Sequence, residues 1–341
     1  MAYTTIDKGS SYFNTVLYTG TSSAQSITGV GFKPDWVWIK DRTSANHHRL
    51  LDIIRGATKE LYSSSDDAET TQVQSLTTFN SDGFSIGTLA QINTNTNNYV
   101  SWNWLASNTT VSNTSGSITS TVSVNTTAGF SIVSYTGTGV NATVGHGLGI
   151  APSFYIVKRR NDTGFNWFCF HSSLGATKFM VLDFTVAVQN GTQWNNTAPT
   201  SSVFSVGTPH NSVNSSGGTH IAYCFAEIKG YSKAFSYTGN GSTNGPFVYT
   251  GFRPAFVLTK ASSATGNWKI SWNSFSNGND YNLAPNLSDS QTSSNQIDLL
   301  SNGFKCRATD TDRNASGTTY IGFAIAENPF VSSTGLPVTA R

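Results

Sequence analysis

Large apolar and small side chains alternate with a period of two in three separated stretches of the chain. Ile321, Phe323 and Ile325 alternate with Gly322, Ala324 and Ala326; Ile221, Tyr223 and Phe225 with Ala222, Cys224 and Ala226; Val100, Trp102 and Trp104 with Ser101, Asn103 and Leu105. A strand turns successive side chains to opposite faces. The pattern therefore predicts three strands whose large set enters a core and whose small set admits a close neighbouring layer. Shorter β-prone runs accompany them. Val16-Leu17-Tyr18 and Ile132-Val133-Ser134-Tyr135 lead into glycine-containing turns. Trp36-Val37-Trp38-Ile39, Phe154-Tyr155-Ile156-Val157 and Phe256-Val257-Leu258 each follow a proline, which suits the start of a strand.

These strands recur as one larger unit. Tyr18-Thr19-Gly20, Tyr135-Thr136-Gly137 and Tyr237-Thr238-Gly239 each open a copy. Each is followed by a proline and, six positions on, a lysine: Pro34 and Lys40, Pro152 and Lys158, Pro254 and Lys260. From the opening tyrosine to the closing strand, the offset between repeats 1 and 2 drifts only from 117 to 121 residues, and that between repeats 2 and 3 only from 102 to 100. So constant a register marks a triplicated unit. The expected organisation is an N-terminal arm (1–12), repeat 1 (13–106), a Ser/Thr/Asn-rich linker (107–121), repeat 2 (122–229), repeat 3 (230–332) and a C-terminal tail (333–341). Repeats 2 and 3 meet through only Lys229-Gly230-Tyr231-Ser232, which predicts a rigid pair with repeat 1 more mobile.

One stretch pits propensity against repetition. Arg49 to Leu61 favours a helix, but its counterpart in repeat 2, Trp167 to Leu182, is aromatic and β-branched. Gly56-Ala57-Thr58-Lys59 recurs there as Gly175-Ala176-Thr177-Lys178, so a pair of strands joined at the glycine is expected in both. Repeat 3 has Phe275-Ser276-Asn277-Gly278-Asn279 instead, which predicts a reshaped second hairpin. The fold class expected is all-β: three tandem homologous β-sandwich domains of jelly-roll, lectin-like type.

Composition narrows the functional classes. Charged residues are 11% of the 341, against about 25% in ordinary soluble proteins, while Ser, Thr and Asn make up about a third. The surface is wetted by hydroxyls and amides. With a net charge of +2 and no basic stripe, no nucleic-acid partner is expected. Met1 to Lys8 has no basic n-region and no apolar h-region, and no apolar run approaches about 18 residues, so neither a signal peptide nor a membrane span is expected. Cys169, Cys224 and Cys306 are odd in number and lack metal-ligand spacing; they read as buried free thiols. No metal and no cofactor are expected.

Candidate chemistry is sparse, and no catalytic residue is assigned. Gly83-Phe84-Ser85-Ile86-Gly87 matches the G-x-S-x-G nucleophile elbow. Its counterparts, Val203-Phe204-Ser205-Val206-Gly207 and Gly303-Phe304-Lys305-Cys306-Arg307, lose a glycine or the serine, which points to a strand with an inward Phe. Glu227 and Glu327 hold one position in two repeats, so they are not a facing pair for glycoside cleavage. Asp310-Thr311-Asp312 is a weak calcium pattern, and His47-His48 reads as a solvated loop. Binding remains. Amides and hydroxyls match sugar hydroxyls and rings stack on sugar faces, and Trp194, Asn195 and Asn196 lie in a loop specific to repeat 2. They are the candidate ligand-binding residues, with Trp194 as a plug at the edge of its own domain as the competing reading.

The recurrent strings carry a resemblance. Tyr18 to Gly20, Gly31 to Val37, Arg55 to Lys59 and Asp82 to Phe84 set the pattern, and Tyr223 to Glu227 and Ala326 to Phe330 close it. Together they resemble tandem domains in virion proteins of marine tailed bacteriophages, tail-fibre or particle-surface components with concanavalin-like β-domains. The resemblance implies a non-enzymatic virion structural protein displayed on the particle. Its partners would be other virion proteins and host surface glycan, with trimerisation by analogy with fibres. It would assemble in the bacterial cytoplasm and be released by lysis. A capsid-decorating, cement or head-fibre protein is the alternative, and a glycan depolymerase the second. The family's strings are structural and transfer no site residues.

Overall fold

The computed structural model describes residues 4–208, 211–278, 281–293 and 295–329; the expected C-terminal tail lies outside the described residues. In repeat 1 the closing strand Asn98–Trp104 lies between the opening strand Phe13–Thr19 and the post-proline strand Trp36–Asp41, antiparallel to both. Arg49–Asp52, Lys59–Tyr62 and Thr70–Thr71 extend this sheet. A second sheet of Gln25–Ile27, Gly83–Ile86 and Leu76–Asn80 packs across it through Ile27, Phe84 and Ile86 against Val37, Ile39 and Leu51. Repeat 2 reproduces the order with Phe130–Thr136, Thr219–Phe225, Phe154–Arg159, Phe168–His171 and Lys178–Val181, beside Ala142–Gly145 and Val203–Val206. Repeat 3 does so with Ser232–Thr238, Thr319–Asn328, Arg253–Ala261 and Lys269–Trp272, beside Phe247–Tyr249, Gly303–Cys306 and Ile297–Leu300. The protein is all-β, built of sandwich-like pairs of sheets. Among the described residues no helix is long and apolar enough to cross a membrane.

The ambiguous stretch forms two strands, with Arg49 opposite Tyr62 and Leu50 opposite Leu61, turning through Gly56 at φ +92°. In repeat 3 this hairpin is altered: among the described residues Lys269–Trp272 is followed by a strand of two residues, Tyr281–Asn282. Residues 107–121 join repeats 1 and 2, but they are not a free spacer. Val111–Asn113 forms the edge strand of repeat 2's sheet, and Ile118 bridges to Val144.

The phrase Tyr-Thr-Gly is framework. In every repeat its tyrosine stacks on the first ring of the closing strand: Tyr18 on Tyr99, Tyr135 on His220 and Tyr237 on Tyr320, at 4.9–5.0 Å. Its hydroxyl donates to Ile92 O, Val213 O or Arg313 O at 2.6–2.9 Å. The next residue in each case is a buried asparagine, Asn93, Asn214 or Asn314, whose amide holds the loop that follows the glycine. A Cβ on Gly20 would sit 2.1 Å from Thr94 O, which explains the glycine.

The repeats do not stand apart as a string. In repeats 1 and 2 the small set of the closing strand faces the repeat's own second sheet, whereas the large set points out of it, into a core common to all three repeats. Trp36 stacks on Tyr223 of repeat 2 at 4.2 Å, Phe154 on Phe323 of repeat 3 at 5.9 Å, and Phe256 meets Trp102 of repeat 1 edge-on at 6.0 Å. The cycle recurs in the backbone. Glu69 N–H donates to Arg160 O at 2.8 Å, Val188 N–H to Ser262 O at 2.9 Å, and Gln291 N–H to Arg42 O at 3.0 Å. The acceptors are each two residues past the repeated lysine. Repeat 1 thus meets 2, 2 meets 3, and 3 meets 1: a closed three-membered ring in one chain. Only about 10 Å³ of space remains at its centre, among Trp36, Trp104, Phe225 and Phe323. Repeat 1 belongs to this core, to which it contributes Trp36, Trp38, Trp102 and Trp104. The N-terminal arm joins in, with Ile6 fully buried there and Gly9 packed against Glu327 O.

Polar anchors follow the same cycle. Lys158 Nζ donates to Asp66 O of repeat 1 at 2.9 Å and Lys260 Nζ to Thr185 O of repeat 2 at 3.1 Å. Trp167 Nε1 reaches Tyr62 O and Trp268 Nε1 reaches Val181 O, both at 2.8 Å. Burial lowers the three repeated lysines to about 8. At the junction of repeats 2 and 3, His171 Nε2 donates to Gly322 O at 3.0 Å, and burial pushes its imidazole down to about 4. The folded protein keeps His171 neutral to about pH 4, while the unfolded chain takes up a proton below about 6.5. This site's stability contribution is full above pH 6.5 and falls as pH drops to 4, by on the order of 3 kcal/mol. The slope of unfolding free energy against pH between 7 and 4.5 is therefore expected to be shallower in His171→Asn. Equal slopes would contradict this.

Candidate functional site

Of the three sequence-derived site residues the structure buries Trp194, while Asn195 is half-buried and Asn196 exposed. Trp194 is fully buried: its ring meets Tyr155 and Phe170 edge-on at 4.9 and 6.2 Å, and Nε1 donates to Lys178 O at 3.1 Å. It cannot offer a face to a sugar. Asn195 and Asn196 adopt φ of 47° and 51°, a left-handed turn that Asn tolerates, and this turn folds the tryptophan inward. The competing reading, an internal plug, describes the residue. Ser85 sits on a strand, with its Oγ 3.1 Å from Ser26 Oγ and 2.8 Å from Asn80 Nδ2. Glu327 pairs with Arg253, whereas Glu227 is exposed at the rim of a cleft beside Pro152 and Phe170, where partial desolvation raises its carboxyl. The histidine pair is split. His47 is exposed and stacks on Tyr62, but His48 is buried and accepts Trp38 Nε1–H at 2.9 Å, so only His47 belongs to a solvated loop. Asp310 caps its own turn through the N–H groups of Asp312 and Arg313, and Asp312 pairs with Lys269 at 3.2 Å.

Where the repeats differ on the outside, one face stands out. In each second sheet an inward pair fixes the register: Ile27 with Phe84, Val144 with Phe204, Val248 with Phe304. The outward neighbours in repeat 1 are Ser26 and Thr28, and in repeat 2 Thr143 and Gly145. In repeat 3 they are Phe247 and Tyr249, 45% and 55% exposed. Phe247 lies opposite Lys305 and Tyr249 opposite Gly303. The Phe247 ring leans over Gly303, where a Cβ would sit 2.9 Å from it. Lys233 Nζ stands 5.0 Å over the Tyr249 ring. Farther along the same sheet a cleft of about 610 Å³ opens between Thr243, Asn277, Asn295, Asp298 and Arg307, with Arg307 Nε on Asp298 Oδ2 at 2.5 Å. Rings, amides, a hydroxyl and fixed charges thus share one open face.

The equivalent face is different in each other repeat. Repeat 1 has a smaller cleft of about 350 Å³, lined by Gln25, Ser26, Gln74, Thr77 and Ser85, with no ring. Repeat 2 is covered along its edge by the linker: Ile118 N–H donates to Thr143 O at 2.9 Å, and Ser117 and Thr143 exchange further hydrogen bonds. Sequence reasoning missed Phe247 and Tyr249 because they read as an ordinary β-prone run. Aligning the inward Val248 with Ile27 and Val144 is the signal that would have exposed them.

This arrangement defines a class: an all-β protein whose three internal repeats close around one core and whose surfaces diverge in chemistry. A family model described as Domain of unknown function (DUF7483) matches residues 8–329, through all three repeats, and the chain belongs to that family. No curated protein and no solved structure matches it.

Proposed function

We propose that the protein is a non-enzymatic structural component of a bacteriophage virion, displayed on the particle, that engages host surface glycan through the outer face of repeat 3. The observation that carries this reading is the exposed pair Phe247 and Tyr249 at positions held by small residues in the other repeats. Two rings two residues apart on a strand stand about 7 Å from each other on one face, spaced to meet successive sugar rings. Their π faces favour the C–H face of a sugar, and the amides of Asn277 and Asn295 supply donors and acceptors beside them. Lys233 and Lys305 favour an acidic sugar. The virion assignment rests on the recurrent strings from Tyr18 to Phe330 and on a surface wetted by Ser, Thr and Asn. In this reading each repeat is a jelly-roll, lectin-like sandwich. The closed ring supplies within one chain the threefold body that fibre proteins build from three.

The double variant Phe247→Ser, Tyr249→Thr installs the residues of repeat 1. It is expected to lower binding to host capsular or envelope polysaccharide at least tenfold while leaving the unfolding free energy within about 1 kcal/mol. Unchanged binding would remove this face from the account. Steady release of reducing ends from the polysaccharide would overturn the non-enzymatic reading.

A further inference from the structure

Repeat 3 has a polar centre where repeats 1 and 2 are apolar. Seven residues ahead of Tyr99, His220 and Tyr320 lie Ile92, Val213 and Arg313. Immediately before the repeated lysines stand Ile39, Val157 and Thr259. Opposite Val37, Tyr155 and Val257 on the next strand are Leu51, Phe170 and Ser271. Between the two sheets, then, repeat 1 has Ile92, Ile39 and Leu51, and repeat 2 has Val213, Val157 and Phe170. Repeat 3 has Arg313, Thr259 and Ser271, each 0% exposed.

The chemistry of this trio is one-sided. Arg313 Nη1 donates to Thr259 Oγ1 at 3.0 Å and Nη2 to Ser271 Oγ at 2.7 Å. Those two bonds use two of the five N–H groups of a guanidinium. Nε has no partner, and among the described residues no carboxylate pairs with this side chain. Both hydroxyls accept from the arginine, so their own O–H groups remain to donate, and no described acceptor takes them. The centre consists of donors around a full positive charge removed from water. An uncompensated buried charge is strongly destabilising, and water cannot neutralise it.

We propose that this centre binds one halide ion, chloride in ordinary solution, held by Arg313 with the hydroxyls of Thr259 and Ser271. A monatomic anion fits the donor-only lining. The inference is independent of what the outer face binds.

Thermal unfolding of the full chain at constant ionic strength, with sodium chloride replacing sodium gluconate, tests it. Tm is expected to rise with chloride by about 2–3 °C for each tenfold increase above the dissociation constant. The triple variant Thr259→Val, Ser271→Phe, Arg313→Val, which installs the residues of repeat 2, is expected to lose that dependence. A Tm that is the same in both salts for the natural chain, or a chloride dependence retained in the variant, overturns the proposal. Should the variant not fold, crystals of the natural chain grown in bromide decide: an anomalous peak beside the Arg313 guanidinium supports the site, and its absence overturns it.

Discussion

Arg55→Met is expected to cost about 3–5 kcal/mol of unfolding free energy, far more than any surface charge in this chain. Arg55 is buried. Its Nε meets Asp52 Oδ2 at 2.5 Å, Nη2 donates to Leu50 O at 2.6 Å, and Nη1 donates to Lys59 O at 3.0 Å and reaches Glu69 at 3.4 Å. Asp52 is itself 0% exposed and accepts the Tyr223 hydroxyl of repeat 2 at 2.8 Å. Removing the guanidinium leaves a carboxylate in the core with only hydroxyl and backbone partners. The cost is that stranded charge rather than the intrinsic value of the pair. Arg55→Met combined with Asp52→Asn is therefore expected to recover most of the loss. Urea unfolding measures both; a single variant within about 1 kcal/mol of the natural protein would show that the pair does not lock repeats 1 and 2 together.

The second large effect is expected at the axis. Trp36 meets Trp104 of its own repeat and Tyr223 of repeat 2, each at 4.2 Å, and Phe130 at 5.8 Å. Truncating it to alanine removes contacts on two repeats at once and should cost about 3–5 kcal/mol. Its Nε1 has no hydrogen-bond partner, so the loss is one of packing. Because the core is common, the whole unfolding curve should move to lower denaturant as one transition. If fluorescence and circular dichroism instead part company, with repeat 1 melting ahead of the others, the core is not shared in the way described.

Much of the framework was legible because it is local or repeated. Period-two alternation located the closing strands, and the recurrence of Gly-Ala-Thr-Lys settled the hairpin against helix propensity. The relation between repeats was not legible. Lys158 finds its carbonyl 92 residues away at Asp66, and Trp167 reaches 105 residues back to Tyr62. Pattern gives a strand's faces but not which core each face enters: the large residues of the closing strands leave their own sandwich for the axis. Trp194 misled for a related reason. Its polar neighbours read as a solvated loop, yet two left-handed asparagines turn the ring inward. His48 hid in the same way, behind an exposed His47. Phe247 and Tyr249 went unnoticed because a ring in a β-prone run is usually core, and only the pairing with Lys305 and Gly303 shows which face they occupy.

Scanning calorimetry distinguishes repeats that close into one body from repeats that stand alone. Three independent domains of about a hundred residues would unfold separately, whereas a ring with one core unfolds together. Scanning calorimetry of the full chain is expected to give a single peak with a calorimetric enthalpy about equal to the van't Hoff enthalpy. Resolved peaks, or a ratio of about three, would contradict the closed ring.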